Sequence, residues 1–155
     1  MVIKIYVDGS AHPNPGPGGY GIVFFDENDN YMIHHSSQDE NTTNNIQELK
    51  ALTFAFLIAN NYPNHDFIIY CDSNYAIKSL TEWAYNWEKN NWIKSDKKPV
   101  LNLEIIKAGF NAYKNLKNCK IEHIAGHKGI IGNELADALA TNNINRFNKL
   151  LKEIL

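Results

Sequence analysis

The runs Val2-Ile-Lys-Ile-Tyr-Val7 and Asp66-Phe-Ile-Ile-Tyr-Cys71 decide the fold class of this 155-residue chain. Both are rich in β-branched and aromatic residues, which is typical of strands, and the second is apolar nearly throughout, as a central buried strand is. Each run is followed directly by an aspartate, Asp8 or Asp72. A helical pattern lies between the two runs, so we predict an α/β domain.

The remaining elements follow from hydrophobic periodicity and from Gly and Pro punctuation. The Gly/Pro-rich residues 9–19 predict a loop, and further strands are predicted at residues 20–25, 31–36 and 120–124. Helices are predicted over residues 43–60, 74–80 and 100–115, from residue 133 onward, and as a tail over residues 145–155. This order predicts a single α/β domain over residues 1–155 with a mixed sheet.

Composition excludes several classes of protein. Hydrophobic residues make up 44% of the chain and charged residues 21%, which fits neither a disordered chain nor a membrane protein. The first strand begins at Val2, so we expect no signal peptide. The two cysteines, Cys71 and Cys119, lie in apolar surroundings, which favours free thiols in a reducing compartment. We therefore expect a cytoplasmic protein without membrane contact.

The net charge by itself does not predict a nucleic-acid partner. The chain carries 15 basic and 17 acidic residues, for a formal charge of -2. A local basic patch decides nucleic-acid binding more than the sum does. The basic residues are lysines except for Arg146, which favours point-charge contacts over bidentate recognition of phosphate.

Four carboxylates stand in otherwise apolar contexts. Asp8 and Asp72 end predicted strands, Glu48 lies about one turn inside a helix, and Asp137 lies inside the last long helix. If the two strands are parallel neighbours, both aspartates share one edge of the sheet. Four converging acids would repel one another, and divalent cations with a preference for oxygen ligands, Mg²⁺ or Mn²⁺, would relieve this. Taken singly, each acid is more simply a cap or a turn former.

Six motifs occur in an order and spacing that resemble ribonuclease H type 1. They are Tyr6-Val-Asp-Gly-Ser10, Asn14-Pro-Gly-Pro-Gly-Gly-Tyr-Gly21, Thr42-Thr-Asn-Asn-Ile-Gln-Glu-Leu49, Cys71-Asp-Ser-Asn-Tyr75, Gly126-His127 and Gly132-Asn-Glu-Leu-Ala-Asp137. The resemblance runs from Lys4 to about Asn142. It implies the ribonuclease H-like fold, which is a five-stranded mixed sheet with helices on both faces.

The resemblance also implies an activity and a cofactor. Members of the family hydrolyse the RNA strand of an RNA/DNA hybrid and leave 5′-phosphate and 3′-hydroxyl ends. The acids that match the family's metal ligands for two Mg²⁺ ions, with Mn²⁺ as a substitute, are Asp8, Glu48, Asp72 and Asp137. Two metals can clamp an in-line displacement at phosphorus. His127 matches a histidine that transfers protons or aids product departure; without the family context it would equally be an ordinary loop histidine.

Substrate contacts are implied at further positions. Gly9 and Ser10 would approach the ribose, where the 2′-hydroxyl distinguishes RNA from DNA. Asn44 and Asn74 match residues that read base edges, although Asn44 is also a candidate helix cap. The positions matching a DNA-phosphate site are Asn14 and Thr43. The lysine-rich aromatic segment at residues 83–98 matches a basic protrusion, with Trp83, Lys97 and Lys98 as its expected contacts; core packing is the alternative for its tryptophans.

Three other functions remain open at this stage. A hybrid-binding module without catalysis is one, although all four acids are present. Another two-metal nuclease of the same fold, such as a junction resolvase or an exonuclease, is the second, because a fold does not fix a substrate. A ribonuclease domain of a retroelement polyprotein is the third. We expect a free-standing, monomeric endoribonuclease whose partner is an RNA/DNA hybrid.

Overall fold

A five-stranded mixed sheet forms the centre of the computed structural model, which describes residues 1–126 and 129–155. Its strands are β1 (Val2–Ala11), β2 (Gly16–Phe25), β3 (Tyr31–Thr42), β4 (Asp66–Cys71) and β5 (Cys119–His123), in the spatial order β3-β2-β1-β4-β5. Strands β1, β2 and β3 form an antiparallel meander, whereas β4 and β5 run parallel to β1. The predicted mixed sheet is confirmed.

Helices occupy both faces of this sheet. Those in the described part of the chain are α1 (Asn44–Asn61), α2 (Asn74–Lys78), α3 (Ala84–Lys89), α4 (Leu103–Tyr113), α5 (Ile131–Ala140) and α6 (Ile144–Ile154). A π-helical turn, Ser79–Trp83, joins α2 to α3. Within the described ranges, no helix combines the length and the apolar character that crossing a bilayer requires.

Alternation along β1 and β2 divides the interior into two cores. On one face Ile5 and Ile22 are fully buried in a cluster that includes Leu49 and Leu52 of α1. On the other face Val23 and Phe25 pack in a second cluster with side chains of α5 and α6, among them Leu135, Leu139 and Phe147. Because successive strand residues point to opposite faces, one strand can hold both helical layers at once.

Three strands are longer than the sequence predicts. β3 continues to Thr42. β1 continues past Asp8 to Ala11 and β2 begins at Gly16, so the expected loop at residues 9–19 shrinks to residues 12–15. Ser10 pairs with Gly19 and Ala11 with Gly18 across the β1–β2 ladder. This pairing depends on the partner strand and not on the residues' own propensities, which is why Gly and Pro signals alone predicted a loop.

Candidate active site

Parallel pairing of β1 with β4 brings the two strand-end aspartates to one edge of the sheet. Val7 lies opposite Cys71 in this ladder, so Asp8 and Asp72 are the next residue on each strand. Asp8 is 6% exposed, and Asp72 is partly buried. The expectation that both carboxylates share one edge is therefore met by the register itself.

Glu48 reaches the same place from α1. The backbone N–H of Gly9 donates to Oδ1 of Asp8 and to Oε1 of Glu48, both at 3.0 Å. A Cβ at Gly9 would collide with the backbone of Gln47 and Glu48, so only glycine lets β1 approach the first turns of α1 this closely. The absence of a side chain at Gly9 thus places one carboxylate beside the other.

Asp137 approaches from the opposite face of the sheet. Gly21 lies directly across the β1–β2 ladder from Asp8, and a Cβ there would collide with the carbonyl oxygen of Ala136 on α5. This close contact sets the next residue, Asp137, against Asp8, and the two carboxyl groups are in hydrogen-bond contact. Asp137 Oδ2 also accepts a hydrogen bond from Arg146 Nη1, at 2.7 Å, in an ion pair.

Burial and mutual repulsion disfavour full ionisation of this cluster. Burial, with a smaller effect from the neighbouring carboxylates, raises the pKa of Asp8 to about 11. Burial also raises the pKa of Glu48 to about 7, against the hydrogen bond with Asp8, which lowers it. Without a cation, the Asp8–Glu48 pair therefore retains a proton at neutral pH.

The donor set fits a divalent metal ion. One carboxylate oxygen each from Asp8, Glu48 and Asp72 can be chosen such that all three lie within 4.8 Å of one another. Glu48 Oε2 is buried and accepts from no N–H or O–H group of the described residues. Hard cations such as Mg²⁺ and Mn²⁺ take carboxylate oxygens as ligands, and a cation there would satisfy this orphaned oxygen. Asp137 lies beside this triad and is not one of its three members.

Three of the expected substrate residues lie where the β1–β2 connection meets the start of α1, and their side chains make local hydrogen bonds. Asn44 Oδ1 accepts from the Ala11 N–H at 2.6 Å, and Asn14 Oδ1 accepts from the Asn44 N–H at 3.0 Å. Thr43 is the N-cap of α1, where its Oγ1 accepts from the Ile46 N–H. The alternative role of Asn44 as the cap is therefore wrong, because the preceding residue fills that position. Asn44 Nδ2 donates to none of the described residues.

Ser10 follows Asp8 on β1, and Asn74 follows Asp72 at the start of α2. Ser10 lies two residues beyond Asp8 and lines a cavity of about 200 Å³ with Gln38, Thr141 and other residues. Asn74 is exposed at the first position of α2, two residues beyond Asp72, and Ser73 caps that helix. Both side chains lie near the carboxyl end of the parallel strands, where ligands bind in open α/β sheets.

The lysine-rich segment is exposed, while its tryptophans differ in burial. Trp83 is 40% exposed, with its ring 5.9 Å from that of Trp87. Trp92 lies edge-on to Phe110 at 6.2 Å and packs against the larger core, so core packing accounts for this ring. Lys97 and Lys98 are exposed in the turn that the Ile93–Pro99 bridge closes.

His127 lies outside the described residues, so its expected role stays a prediction. Two described residues near the acids were not among the expected site residues. Arg146 pairs with Asp137, and His123 Nε2 lies 3.2 Å from the carbonyl oxygen of Asp72. That Arg146 is the only arginine of the chain was a usable signal, whereas nothing in the sequence distinguished His123.

Comparisons with known proteins agree with this geometry. The RNase H family model matches residues 1–145. Curated proteins named ribonuclease H are similar to the chain: one from Orientia tsutsugamushi (strain Boryong) is 38% identical over 90% of this chain and 80% of its own, and one from Thermoanaerobacter sp. (strain X514) is 39% identical over 94% and 91%. The solution structure of the PFV RNase H domain superposes with a TM-score of 0.73 at 26% identity, covering 91% of this chain and 92% of that one.

Proposed function

The chain belongs to the ribonuclease H family, and we propose that it is an endoribonuclease that hydrolyses the RNA strand of RNA/DNA hybrids. The products are fragments with 5′-phosphate and 3′-hydroxyl ends. One observation carries the proposal: carboxylates from β1, α1 and the end of β4 meet within 4.8 Å at one edge of the sheet. Three acids this close, two of them buried, need a cation to remain ionised together.

The metal ligands in this proposal are Asp8, Glu48, Asp72 and Asp137, and the cofactor is Mg²⁺, with Mn²⁺ as a substitute. Divalent ions held by these carboxylates would lower the pKa of a bound water and would stabilise the leaving oxygen. Gly9 orients both carboxylates, since its backbone N–H donates to Asp8 and to Glu48. No Ser or Cys nucleophile is required. His127 transfers a proton or assists the departure of product.

Hybrid recognition is assigned to residues around this edge. Asn44 is exposed at the first position of α1, with an Nδ2 that donates to none of the described residues, and Asn74 presents an exposed amide at the first position of α2. Gly9 and Ser10 face the ribose. Phosphates of the DNA strand lie against Asn14 and Thr43 and, farther away, against the protrusion with Trp83, Lys97 and Lys98.

We also propose that the protein acts as a cytoplasmic monomer built from a single ribonuclease H domain. Both thiols are free in the structure. Burial raises the pKa of Cys71 and raises that of Cys119 to about 12, so both are held as inert thiols, as suits a reducing compartment.

The test is cleavage of a labelled RNA/DNA hybrid in Mg²⁺ by the wild-type protein and by Asp72→Asn. We expect the substitution to lower turnover by more than about 100-fold, since even the loss of a residue that supports a metal ligand costs 10–100-fold. Hybrid binding, measured by fluorescence anisotropy, should survive. The matched control is Asp66→Asn, which makes the same chemical change at the opposite, exposed end of β4.

Each alternative function predicts a different result. A binding module without catalysis binds the hybrid and cleaves nothing in Mg²⁺ or Mn²⁺. A junction resolvase or an exonuclease cleaves a four-way junction or single-stranded DNA in preference to the hybrid. Unaltered turnover in Asp72→Asn would remove this carboxylate from the metal site.

A further inference from the structure

The C-terminal helix α6 places a positively charged side chain, Arg146, against the acidic site. Arg146 lies in the first turn of α6 and donates from Nη1 to Asp137 Oδ2 at 2.7 Å, with 35% of the arginine side chain and 21% of the aspartate side chain exposed. Arg146 lies one residue beyond the stretch that the family model matches. The contact joins the C-terminal helix to a residue of α5.

The position of this arginine is fixed by the helix that carries it. Its backbone N–H donates to Oδ1 of the α6 N-cap, Asn143, at 3.1 Å. The next residue, Phe147, is 3% exposed and anchors α6 in the second core against His34, with ring centres 4.5 Å apart. Because the backbone that carries the guanidinium is anchored and its planar fork is pre-organised, this ion pair costs less side-chain entropy than one made by a free surface lysine.

Asp137 therefore contacts both the acidic cluster and Arg146. Its carboxyl group contacts that of Asp8, and its Oδ2 accepts a hydrogen bond from Arg146. The three carboxylates that lie within 4.8 Å of one another, Asp8, Glu48 and Asp72, form a compact group without it. A metal ion that takes Asp137 as a ligand gains one negatively charged ligand. It also has to displace the guanidinium of Arg146 or share a carboxylate oxygen with it.

We propose that Arg146 competes with divalent cations for the carboxylate of Asp137. The inference rests on the proposed function, in that it assumes that the acidic site binds metal. Its consequence is a difference between two sites: the Asp8–Glu48–Asp72 triad fills at a lower metal concentration than any site that depends on Asp137. Arg146 is a positioning residue here, because it acts through Asp137 and not on substrate.

The test is Mn²⁺ binding to the full-length protein without substrate, followed by calorimetry and by the electron paramagnetic resonance signal of free Mn²⁺. Wild-type protein should show one stronger and one weaker class of site. Arg146→Gln removes the competing charge, so the weaker class should tighten by about fivefold, the size expected for a partly exposed ion pair. The stronger class should stay within twofold of the wild-type value.

Two controls separate competition from general charge and from folding. Lys149→Gln removes the same charge from an exposed position three residues along α6 and should leave both classes unchanged. Asp137→Asn in the Arg146→Gln background should abolish the gain. If Arg146→Gln does not fold, Arg146→Lys is the substitute: its ammonium lacks the planar fork, and a smaller tightening is expected.

The sign of the change decides the outcome. An arginine that only holds Asp137 ready for metal predicts weaker binding when it is removed, so an unchanged or weakened second class overturns the inference while leaving the proposed function intact. If wild-type protein binds no Mn²⁺, the proposed metal-dependent function fails and this inference fails with it. Tightening in Arg146→Gln that Asp137→Asn cancels supports competition.

Discussion

The backbone N–H of Gly9 lies 3.0 Å from Oε1 of Glu48, although 39 positions separate the two residues in sequence. This bond exists because β1 and α1 touch with no side chain between them. The acidic site thus depends on a packing contact as much as on its carboxylates.

Gly9→Ala should damage both stability and activity. The added Cβ would overlap the backbone of Gln47 and Glu48 and push α1 from the sheet, which costs about 1–3 kcal/mol in the free energy of unfolding. Urea denaturation measures this loss, and hybrid cleavage should fall more than stability alone explains. Ser10→Ala, one residue further on β1, is the control for stability. Wild-type turnover in Gly9→Ala would contradict the close contact.

The stability of the metal-free protein should fall as pH rises. The pKa values of Asp8 and Glu48 are raised in the folded state, so their protonated forms favour folding fully below the ordinary range of 3.8–4.5. That contribution is lost as pH rises through about 7 for Glu48 and continues to fall towards about 11 for Asp8. Relative to Asp8→Asn, wild-type protein should lose on the order of 3 kcal/mol between pH 4.5 and 7, because Asp8 is ionised in the unfolded state over this range and stays protonated in the folded state.

Denaturant titrations in EDTA across this range measure the difference between the two proteins. Excess Mg²⁺ should restore much of the wild-type loss, because a bound cation stabilises the ionised carboxylates. A wild-type minus Asp8→Asn difference that stays flat with pH would show that burial does not perturb this pair.

Lys97→Ala combined with Lys98→Ala should raise KM for the hybrid and leave kcat unchanged. Each lost phosphate contact lowers the dependence of log binding on log salt by about 0.9, so the slope should flatten by up to about 2. Steady-state kinetics over a series of salt concentrations measure both quantities. The control is Lys117→Ala with Lys120→Ala, a pair of exposed lysines around the start of β5, at the opposite edge of the sheet from the acids. Equal slopes for the two double variants would exclude Lys97 and Lys98 as phosphate contacts.

Asn44→Asp should separate a structural role from a substrate role at one residue. Aspartate keeps an acceptor for the Ala11 N–H and favours the helix N-terminus, so stability should stay within about 1 kcal/mol of wild type. It cannot donate as the Asn44 amide does, so KM should rise. Asn45→Asp adds the same charge at the adjacent exposed position and is the control. If both variants raise KM equally, charge repulsion and not the lost donor is the cause.

Much of the fold was predictable because local hydrophobic patterns determine many of its helices and strands. The apolar run at Asp66–Cys71 predicted β4 to the residue, and the helical spacing after Thr43 predicted α1 to within one residue at each end. The strand ends were less predictable, because the continuation of β1 to Ala11 depends on hydrogen bonds from β2 and not on its own residues. Sheet pairing is a long-range property, so a local window does not contain it.

The sequence by itself determined which side chains are the candidates for the chemistry, because Asp8, Glu48, Asp72 and Asp137 stand in ordered motifs and in apolar contexts. The sequence did not determine the distances between these carboxylates or the positively charged side chains that pair with them. Only the tertiary structure decided that three of them form a compact group while Asp137 is shared with Arg146. The physical reason is that an ion pair forms where packing leaves two charges in contact, and α6 reaches Asp137 because Phe147 is buried beneath it.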